Sequence, residues 1–261
     1  MHSSISLLPG DIHLWLAYYD EIDDPQLHDR YRSLLSDAER NQEPKFYFER
    51  DRRRYLVTRA LVRTVLSKYL SLPPRDWVFS QNAFGRPEIA NGEVRGSQLS
   101  FNVSHTHSLI VLGVAESRAL GVDCENVVAR EASIDIADHY FAPEEVRALA
   151  DVPAHRQQYR FFEYWTFKES YIKARGMGLS LPLDKFSFRY PDDRRVAISI
   201  DPELKDESRR WQFWQFRPRP EYLVAVCAER AASAQSTPLV REIVPLRKEE
   251  ILAPTFLRTS E

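Results

Sequence analysis

The sequence predicts an α/β fold of the α+β kind, with two long helices and two groups of short strands. Apolar side chains recur at helical spacing through residues 46–70, and again through residues 161–172. Short apolar or alternating runs, which are typical of strands, occupy residues 11–19, 99–105, 109–115 and 120–125. Each long helix therefore has strands near it in the sequence.

Composition excludes several classes of protein. The chain has 261 residues, 43% of them hydrophobic, which is enough for one large core or two modest ones. Lys and Arg total 36 against 38 Asp and Glu, so the net charge of −2 does not favour a nucleic-acid partner. Cys124 and Cys227 form no disulfide framework. With no signal peptide or membrane-length apolar run, we expect a cytoplasmic protein that does not bind membranes.

The remaining elements of the first half follow from local signals. Residues 24–48 predict two short helical segments, the second capped by Ser36 or Asp37 and ended by Pro44. Residues 77–89 predict a strand, a turn at Gly85 and a second strand.

The second half shows the same kinds of signal. We expect helices around residues 132–139 and 142–149, followed by the long helix that ends at Gly176. Further predicted elements are strands near 195–200, 211–216 and 222–228, a polar linker at 231–238, and a short strand and helix within 241–252.

The first long helix has a basic front. Arginines interleaved with aromatic residues are compatible with nucleic-acid binding, although a solvated helix face is the commoner explanation. The arginines are Arg50, Arg52, Arg53, Arg54, Arg59 and Arg63.

Two acidic side chains share one face of a predicted strand. In LGVDCE, residues 120–125, strand alternation places Asp123 and Glu125 on one face and Cys124 on the other. Two such carboxylates favour a hard cation such as Mg²⁺, and Glu169 could supply a third oxygen ligand. The alternative is an edge strand with a solvated acidic face.

The second long helix carries charged residues in WTFKESYIK, residues 165–173. Glu169 and Lys173 are four residues apart and share a face, with Lys168 beside them. Taken alone, this pattern also fits a salt bridge on a solvated face.

Ser104 and His105 are adjacent on a predicted strand, so they point to opposite faces and are badly placed as a nucleophile and its base. His107 shares a face with His105, but the two lack a clear third zinc ligand. A structural histidine is the alternative.

The acidic strand and the charged helix together resemble the signatures of surfactin-type 4′-phosphopantetheinyl transferases. That family pairs a strand of the pattern Val/Ile-Gly-Val/Ile-Asp-x-Glu with a helix Trp-Ser/Thr-x-Lys-Glu-Ala/Ser-x-x-Lys about forty residues later. The helix motif fits at every defined position, and the strand departs only at Leu120. The family's Asn-Val/Ile-Ser-His motif ends at His105, and Gly85-Arg86-Pro87 stands where the family has Gly-Lys-Pro.

The resemblance implies a monomer built as a pseudo-dimer. Two similar halves, each a small, mostly antiparallel sheet packed on a long helix, would enclose coenzyme A in the cleft between them. We expect an N-terminal half at 1–117, a C-terminal half at 118–230 and a linker with a returning segment at 231–261.

The resemblance also implies roles for individual residues. Mg²⁺ would be held by Asp123, Glu125 and Glu169, with Glu145 as a possible further ligand. Pro143 followed by glutamates is equally good chemistry for a helix N-terminus, so Glu145 has a structural alternative. The residues expected to act in catalysis are Glu169, Lys173 and Lys168, and those expected to bind coenzyme A are Arg54, Arg86, Ser104, His105, Lys168 and Lys173.

The implied reaction moves 4′-phosphopantetheine from coenzyme A to a serine of an apo acyl or peptidyl carrier protein and releases 3′,5′-ADP. The rival is a non-catalytic protein that binds coenzyme A or a carrier protein, for which the acidic set and Lys173 would have no use. One departure concerns the adenine side, where family lysines are replaced by Glu39 and Gln42.

Overall fold

The computed structural model describes residues 5–94, 97–129, 136–231 and 237–260. Its helices are, in chain order, α1 (Pro25–Arg32), α2 (Asp37–Gln42), α3 (Glu49–Leu66), α4 (Ala137–Tyr140), α5 (Pro143–Ala150) and α6 (Ala154–Arg175). Its strands are β1 (Ile12–Tyr18), β2 (Phe79–Gln81), β3 (Pro87–Ile89), β4 (Leu99–His105), β5 (Leu109–Glu116), β6 (Leu120–Asn126), β7 (Phe186–Arg189), β8 (Ala197–Ile200), β9 (Trp211–Phe216), β10 (Tyr222–Glu229), β11 (Leu239–Val244), β12 (Lys248–Leu252) and β13 (Phe256–Thr259). The two long helices, α3 and α6, lie where the sequence predicts them.

Two larger sheets organise the chain. The first has the order β12-β11-β1-β5-β4, and the second has the order β13-β9-β10-β6. Every neighbouring pair is antiparallel except β1 and β11, which run parallel. Two separate hairpins, β2-β3 and β7-β8, complete the strands of the described residues. The predicted mixed α/β class is therefore confirmed.

The cores show how the layers stack. Strand alternation in β1 sends Trp15 and Ala17 into a core with α3, whereas Leu14 and Leu16 enter a core between the two sheets. A third core joins the opposite face of the second sheet to α6. The layers therefore run in the order α3, first sheet, second sheet, α6. That the two halves are similar copies enclosing coenzyme A stays a prediction.

The segment near the C-terminus differs from its prediction. Residues 241–252 were expected to hold a strand and a helix, but β11 and β12 form an antiparallel hairpin. Leu246 turns the chain with a φ of 62°. Pairing with the edge of β11 decides the conformation of β12, because local propensity is weak against tertiary context.

Two other predicted elements lie partly outside the described residues. Of the helix expected around residues 132–139, the structure describes α4 from Ala137 onward, and most of the polar linker at 231–238 falls in the next gap. Elsewhere, Ser36 caps α2 by a capping box with Glu39, as the sequence predicts. Within the described ranges, no helix has the length and apolar character needed to cross a bilayer.

Helix α6 lies directly on strand β6 because position 121 has no side chain. A Cβ atom built on Gly121 would stand 2.0 Å from the Ser170 carbonyl oxygen and 2.4 Å from the Ala174 nitrogen. Both of those atoms belong to helix backbone, which cannot move aside as a flexible side chain can. The helix that carries Glu169 and Lys173 is thereby brought against the strand that carries Asp123.

We expect Gly121→Ala to destabilise the protein by about 1–3 kcal/mol, because overpacking against backbone forces the helix off the strand. Urea denaturation would measure the change, with Gly92→Ala as the matched control, since a Cβ at Gly92 meets nothing within 4 Å. Equal midpoints for the two variants would show that α6 can shift at little cost.

Candidate active site

The candidate site lies where β4, β6 and α6 meet. The Lys173 Nζ atom donates to Asp123 Oδ1 at 2.6 Å and to Ser104 Oγ at 2.9 Å. Ser104 Oγ in turn donates to the same Asp123 oxygen at 3.0 Å. One residue from each of three elements therefore contributes to a single hydrogen-bonded group, which includes the ion pair of Lys173 and Asp123.

Strand alternation in β6 produces this arrangement. Asp123 faces α6, whereas Cys124 lies in the core between the sheets, so the predicted division of the two faces is confirmed. Burial raises the pKa of the Cys124 thiol, and the nearby Asp123 carboxylate adds to the shift. The thiol therefore stays protonated.

The acidic side of the site is only partly neutralised. Asp123 Oδ2 is buried and has no hydrogen-bond partner in the part of the chain that the structure describes. Burial, and after it the charge of Asp123, raises the pKa of Glu169 to about 7, while Lys173 opposes the shift. Two carboxyl groups thus face one ammonium, and a further cation would relieve their repulsion.

Glu125 lies farther along the same strand face and is half-buried. Thr106 Oγ1 donates to Glu125 Oε2 at 3.4 Å and accepts from the Asn126 amide at 3.0 Å. Among the described residues, no three His, Cys, Asp or Glu side chains are grouped closely enough to hold a metal ion as they stand.

Cationic groups converge on His105 at the end of β4. Desolvation lowers the pKa of His105, the charges of Arg54 and Lys173 lower it further, and Asp123 opposes them. Arg54, on α3, forms an ion pair with Asp51 at 3.2 Å and keeps part of its side chain in solvent. The imidazole therefore lies near two cationic side chains, Arg54 and Lys173, which together suit an anion.

Lys168 and Glu145 lie elsewhere, contrary to the predictions that they face a phosphate and a metal. Both side chains are fully buried, and they form an ion pair at 2.7 Å. Lys168 Nζ also donates to the carbonyls of Leu183 and Phe186, both at 2.7 Å. Successive helical residues point about 100° apart, so Lys168 cannot share a face with Glu169.

Glu145 instead has the structural role that its position after Pro143 allowed. It accepts from the Ala142 amide at the start of α5 and from the Phe188 amide on β7. Each of these bonds satisfies a buried backbone donor. The ion pair with Lys168 therefore connects α5, α6 and β7 inside the core between the second sheet and α6.

Arg86 also differs from its prediction as a coenzyme A ligand. Its guanidinium donates to the Lys173 carbonyl at 2.6 Å and to the Leu120 carbonyl at 3.0 Å. Burial lowers the pKa of Arg86, and Glu88 opposes that shift. Donors held by backbone carbonyls are not directed at a phosphate.

No role was predicted from the sequence for Asn102 of β4 or for Thr106, which directly follows the strand. The Asn102 side chain accepts from the Val122 amide at 2.8 Å, and Thr106 accepts from the Asn126 amide. Together with Ser104 they attach β4 and the residue after it to β6. Their two-residue spacing was the available signal.

Comparisons with known proteins agree with the motifs. A family model described as the 4′-phosphopantetheinyl transferase superfamily matches residues 119–227, and a model described as 4′-phosphopantetheinyl transferase, N-terminal, matches residues 24–117. A 4′-phosphopantetheinyl transferase of Bacillus subtilis is 35% identical over 200 residues, which cover 77% of this chain and 84% of the relative.

Two further relatives have similar coverage. The 4′-phosphopantetheinyl transferase Sfp of Bacillus subtilis strain 168 is 32% identical over 211 residues, or 81% of this chain and 89% of its own. The 4′-phosphopantetheinyl transferase HetI of a Nostoc strain is 34% identical over 177 residues, or 68% of this chain and 73% of its own. The chain therefore belongs to the 4′-phosphopantetheinyl transferase family.

Proposed function

We propose that the protein transfers 4′-phosphopantetheine from coenzyme A to a serine hydroxyl of an apo acyl or peptidyl carrier protein, with Mg²⁺, and releases 3′,5′-ADP. Family membership supports the reaction class. The observation that carries the assignment to this site is the group formed by Lys173, Asp123 and Ser104. A non-catalytic binding protein would not need that partly buried charge.

Lys173 is the residue that we expect to neutralise charge on the phosphate under attack. Although burial alone would lower its pKa, Asp123 and Glu169 raise the pKa of Lys173, so the side chain keeps its proton. Its ammonium is held in place by two acceptors before any substrate arrives. Charge that is fixed in advance stabilises a developing anion without the cost of reorganisation.

The magnesium ligands that the family motif implies are Asp123, Glu125 and Glu169, whose side chains would have to move closer together to hold the ion. Asp123 Oδ2 is buried without a partner among the described residues, and the Lys173 ammonium is shared by the carboxyl groups of Asp123 and Glu169, so a second cation would balance the remaining charge. Bound there, Mg²⁺ would supply charge neutralisation for the pyrophosphate of coenzyme A. Glu169 is also the carboxylate that we expect to accept the serine proton.

The 3′-phosphate of coenzyme A would be bound by Arg54 and His105. The family's upstream lysines are replaced here, and Glu39 instead binds Arg63 at 2.6 Å inside the N-terminal half. Because Glu39 forms an internal ion pair and is itself acidic, it cannot bind the phosphate as a lysine would. Recognition of the phosphate therefore depends more on Arg54 than it does in family members that keep those lysines. A guanidinium can hold a phosphate through two parallel hydrogen bonds.

Intact-mass spectrometry of apo carrier proteins tests the proposed reaction. With coenzyme A and magnesium, the wild-type protein should add one phosphopantetheine group to the carrier serine. Lys173→Ala should lower the single-turnover rate by about a hundred-fold or more, because it removes a preorganised charge. The matched control is Lys185→Ala, which removes a lysine of the same half that pairs with Asp201 and Glu203.

The control should transfer at the wild-type rate. No mass increase with any carrier protein, combined with tight binding of coenzyme A, would favour the non-catalytic rival. An unchanged rate in Lys173→Ala would make its ion pair with Asp123 purely structural.

Arg54→Ala separates binding from chemistry. We expect the KM for coenzyme A to rise by roughly ten-fold or more, since a charge-assisted contact is worth about 1.5–3 kcal/mol. The KM for 3′-dephospho-coenzyme A should change much less, because that substrate lacks the phosphate. Steady-state kinetics with both substrates would measure the difference, and an equal penalty on both would assign Arg54 a structural role.

The raised pKa of Glu169 predicts a stability that depends on pH and magnesium. An unfolded glutamate titrates near 4.3, so the folded state holds this proton more tightly, and stability falls as the pH rises from about 4.3 to 7. We expect Glu169→Gln to raise the melting temperature of magnesium-free protein more at pH 8 than at pH 5.5.

Magnesium should stabilise the wild-type protein at pH 8 by about 2.7 kcal/mol at a hundred times its Kd. Glu169→Gln should reduce that gain, whereas Glu203→Gln, a change at an exposed glutamate of the same half, should keep it. Thermal melting with magnesium or a chelator gives both results. A magnesium effect that Glu169→Gln leaves intact would exclude Glu169 as a ligand.

A further inference from the structure

The turn between β2 and β3 caps the end of helix α6. Asn82 Oδ1 accepts from the amides of Phe84 and Arg86, which shapes the turn, and Asn82 Nδ2 donates to the Gly176 carbonyl at 3.0 Å. Gly176 ends the helix in a left-handed conformation with a φ of 66°. The turn lies within residues 1–117, whereas the helix end that it caps lies within residues 118–230, so this contact joins the two predicted halves.

Arg86 extends this cap to three elements at once. Its Nη1 atom donates to the Lys173 carbonyl at 2.6 Å, and its Nη2 atom donates to the Leu120 carbonyl at 3.0 Å and the Phe101 carbonyl at 3.4 Å. These carbonyls lie on α6, β6 and β4 respectively. The same three elements carry Lys173, Asp123 and Ser104.

The contact with Lys173 is direct. The Lys173 carbonyl lies in the last turn of α6, where it also accepts from the Gly176 amide at 3.2 Å, and a cation at this end interacts favourably with the helix dipole. Arg86 binds the carbonyl of Lys173 itself. It therefore fixes the backbone position from which the ammonium-bearing side chain extends. Arg86 thus fixes the backbone end of the flexible lysine side chain, while Asp123 and Ser104 fix the Nζ atom at its other end.

We propose that Arg86 is a positioning residue, which sets the place of the Lys173 ammonium by binding the carbonyl of the same residue. The inference rests on the proposed function, because it assigns Lys173 to the reaction. It replaces direct binding of coenzyme A, the role that the sequence suggested for Arg86. A guanidinium suits this role because its forked donors reach several carbonyls, whereas a lysine offers one compact charge.

The test compares Arg86→Lys with Arg75→Lys, a change at an exposed arginine whose nearest carboxylate, that of Asp76, is 3.7 Å away. We expect Arg86→Lys to lower kcat by about ten-fold or more, because small displacements of a catalytic group are costly, with the KM for coenzyme A within about two-fold. Arg75→Lys should match the wild type. A raised KM with an unchanged kcat would overturn the proposal in favour of direct coenzyme A binding.

A double-mutant cycle decides whether Arg86 acts through Lys173. In a Lys173→Ala background, Arg86→Lys should cost less than about three-fold in rate, because the group it positions is gone. Equal losses in both backgrounds would overturn the proposal. If Arg86→Lys does not fold, Asn82→Ala takes its place, with an expected loss of about two- to five-fold in kcat at constant KM. An unchanged kcat in that variant would also contradict the proposal.

Hydrogen exchange separates this inference from the proposed function. Amides in the last turn of α6 should exchange faster in Arg86→Lys than in Arg75→Lys, whether or not transfer is observed. A wild-type protein that transfers nothing would refute the proposed function, and the exchange rates would still decide whether Arg86 holds the helix end. Identical exchange in the two variants would overturn the inference.

Discussion

The close approach of α6 to β6 is the constraint on which the site depends. Because Gly121 has no side chain, the helix backbone rests on the strand, and the Lys173 ammonium reaches Asp123 at 2.6 Å. A larger residue would push the helix outward and lengthen that distance. Fold and site are coupled through this contact, since the same packing buries the apolar face of α6 and sets the spacing of its charged face.

The same close packing brings two acidic side chains near each other, so that their negative charges repel. Backbone packing buries Glu169 and holds it near Asp123, and burial first and the charge of Asp123 second raise the pKa of Glu169. The large apolar cores on either side of β6 supply the stability that this repulsion reduces. Binding of a cation would therefore stabilise this site, because it offsets the repulsion between the two carboxyl groups.

The sequence predicts those parts of the fold and site that follow from local periodicity. Alternation in β6 separates Asp123 from Cys124, and helical spacing places Glu169 and Lys173 together. It does not predict partners that are distant in the chain. Nothing local shows that Lys168 would meet Glu145, or that β12 would pair with β11 rather than form a helix. Those outcomes depend on which buried groups need partners after the layers have packed.

Tertiary packing places the arginines of this chain in different environments. Arg63 belongs to the basic front predicted for the first long helix, yet it is buried, pairs with Glu39 and donates to the Trp77 carbonyl. Arg118 likewise binds the carbonyls of Gly10 and Glu229, as Arg86 binds those near α6.

Guanidinium groups thus satisfy carbonyls where loops and helix ends would otherwise bury unpaired acceptors. Helical rotation then leaves a subset of the arginines of α3 facing outward, and the charge of Arg54 among them acts on His105 at the end of β4. The fold therefore divides a basic stripe of the sequence into buried arginines that bind carbonyls and a smaller group that faces outward. The near-neutral net charge of −2 has a different origin, since 38 acidic residues balance 36 basic ones.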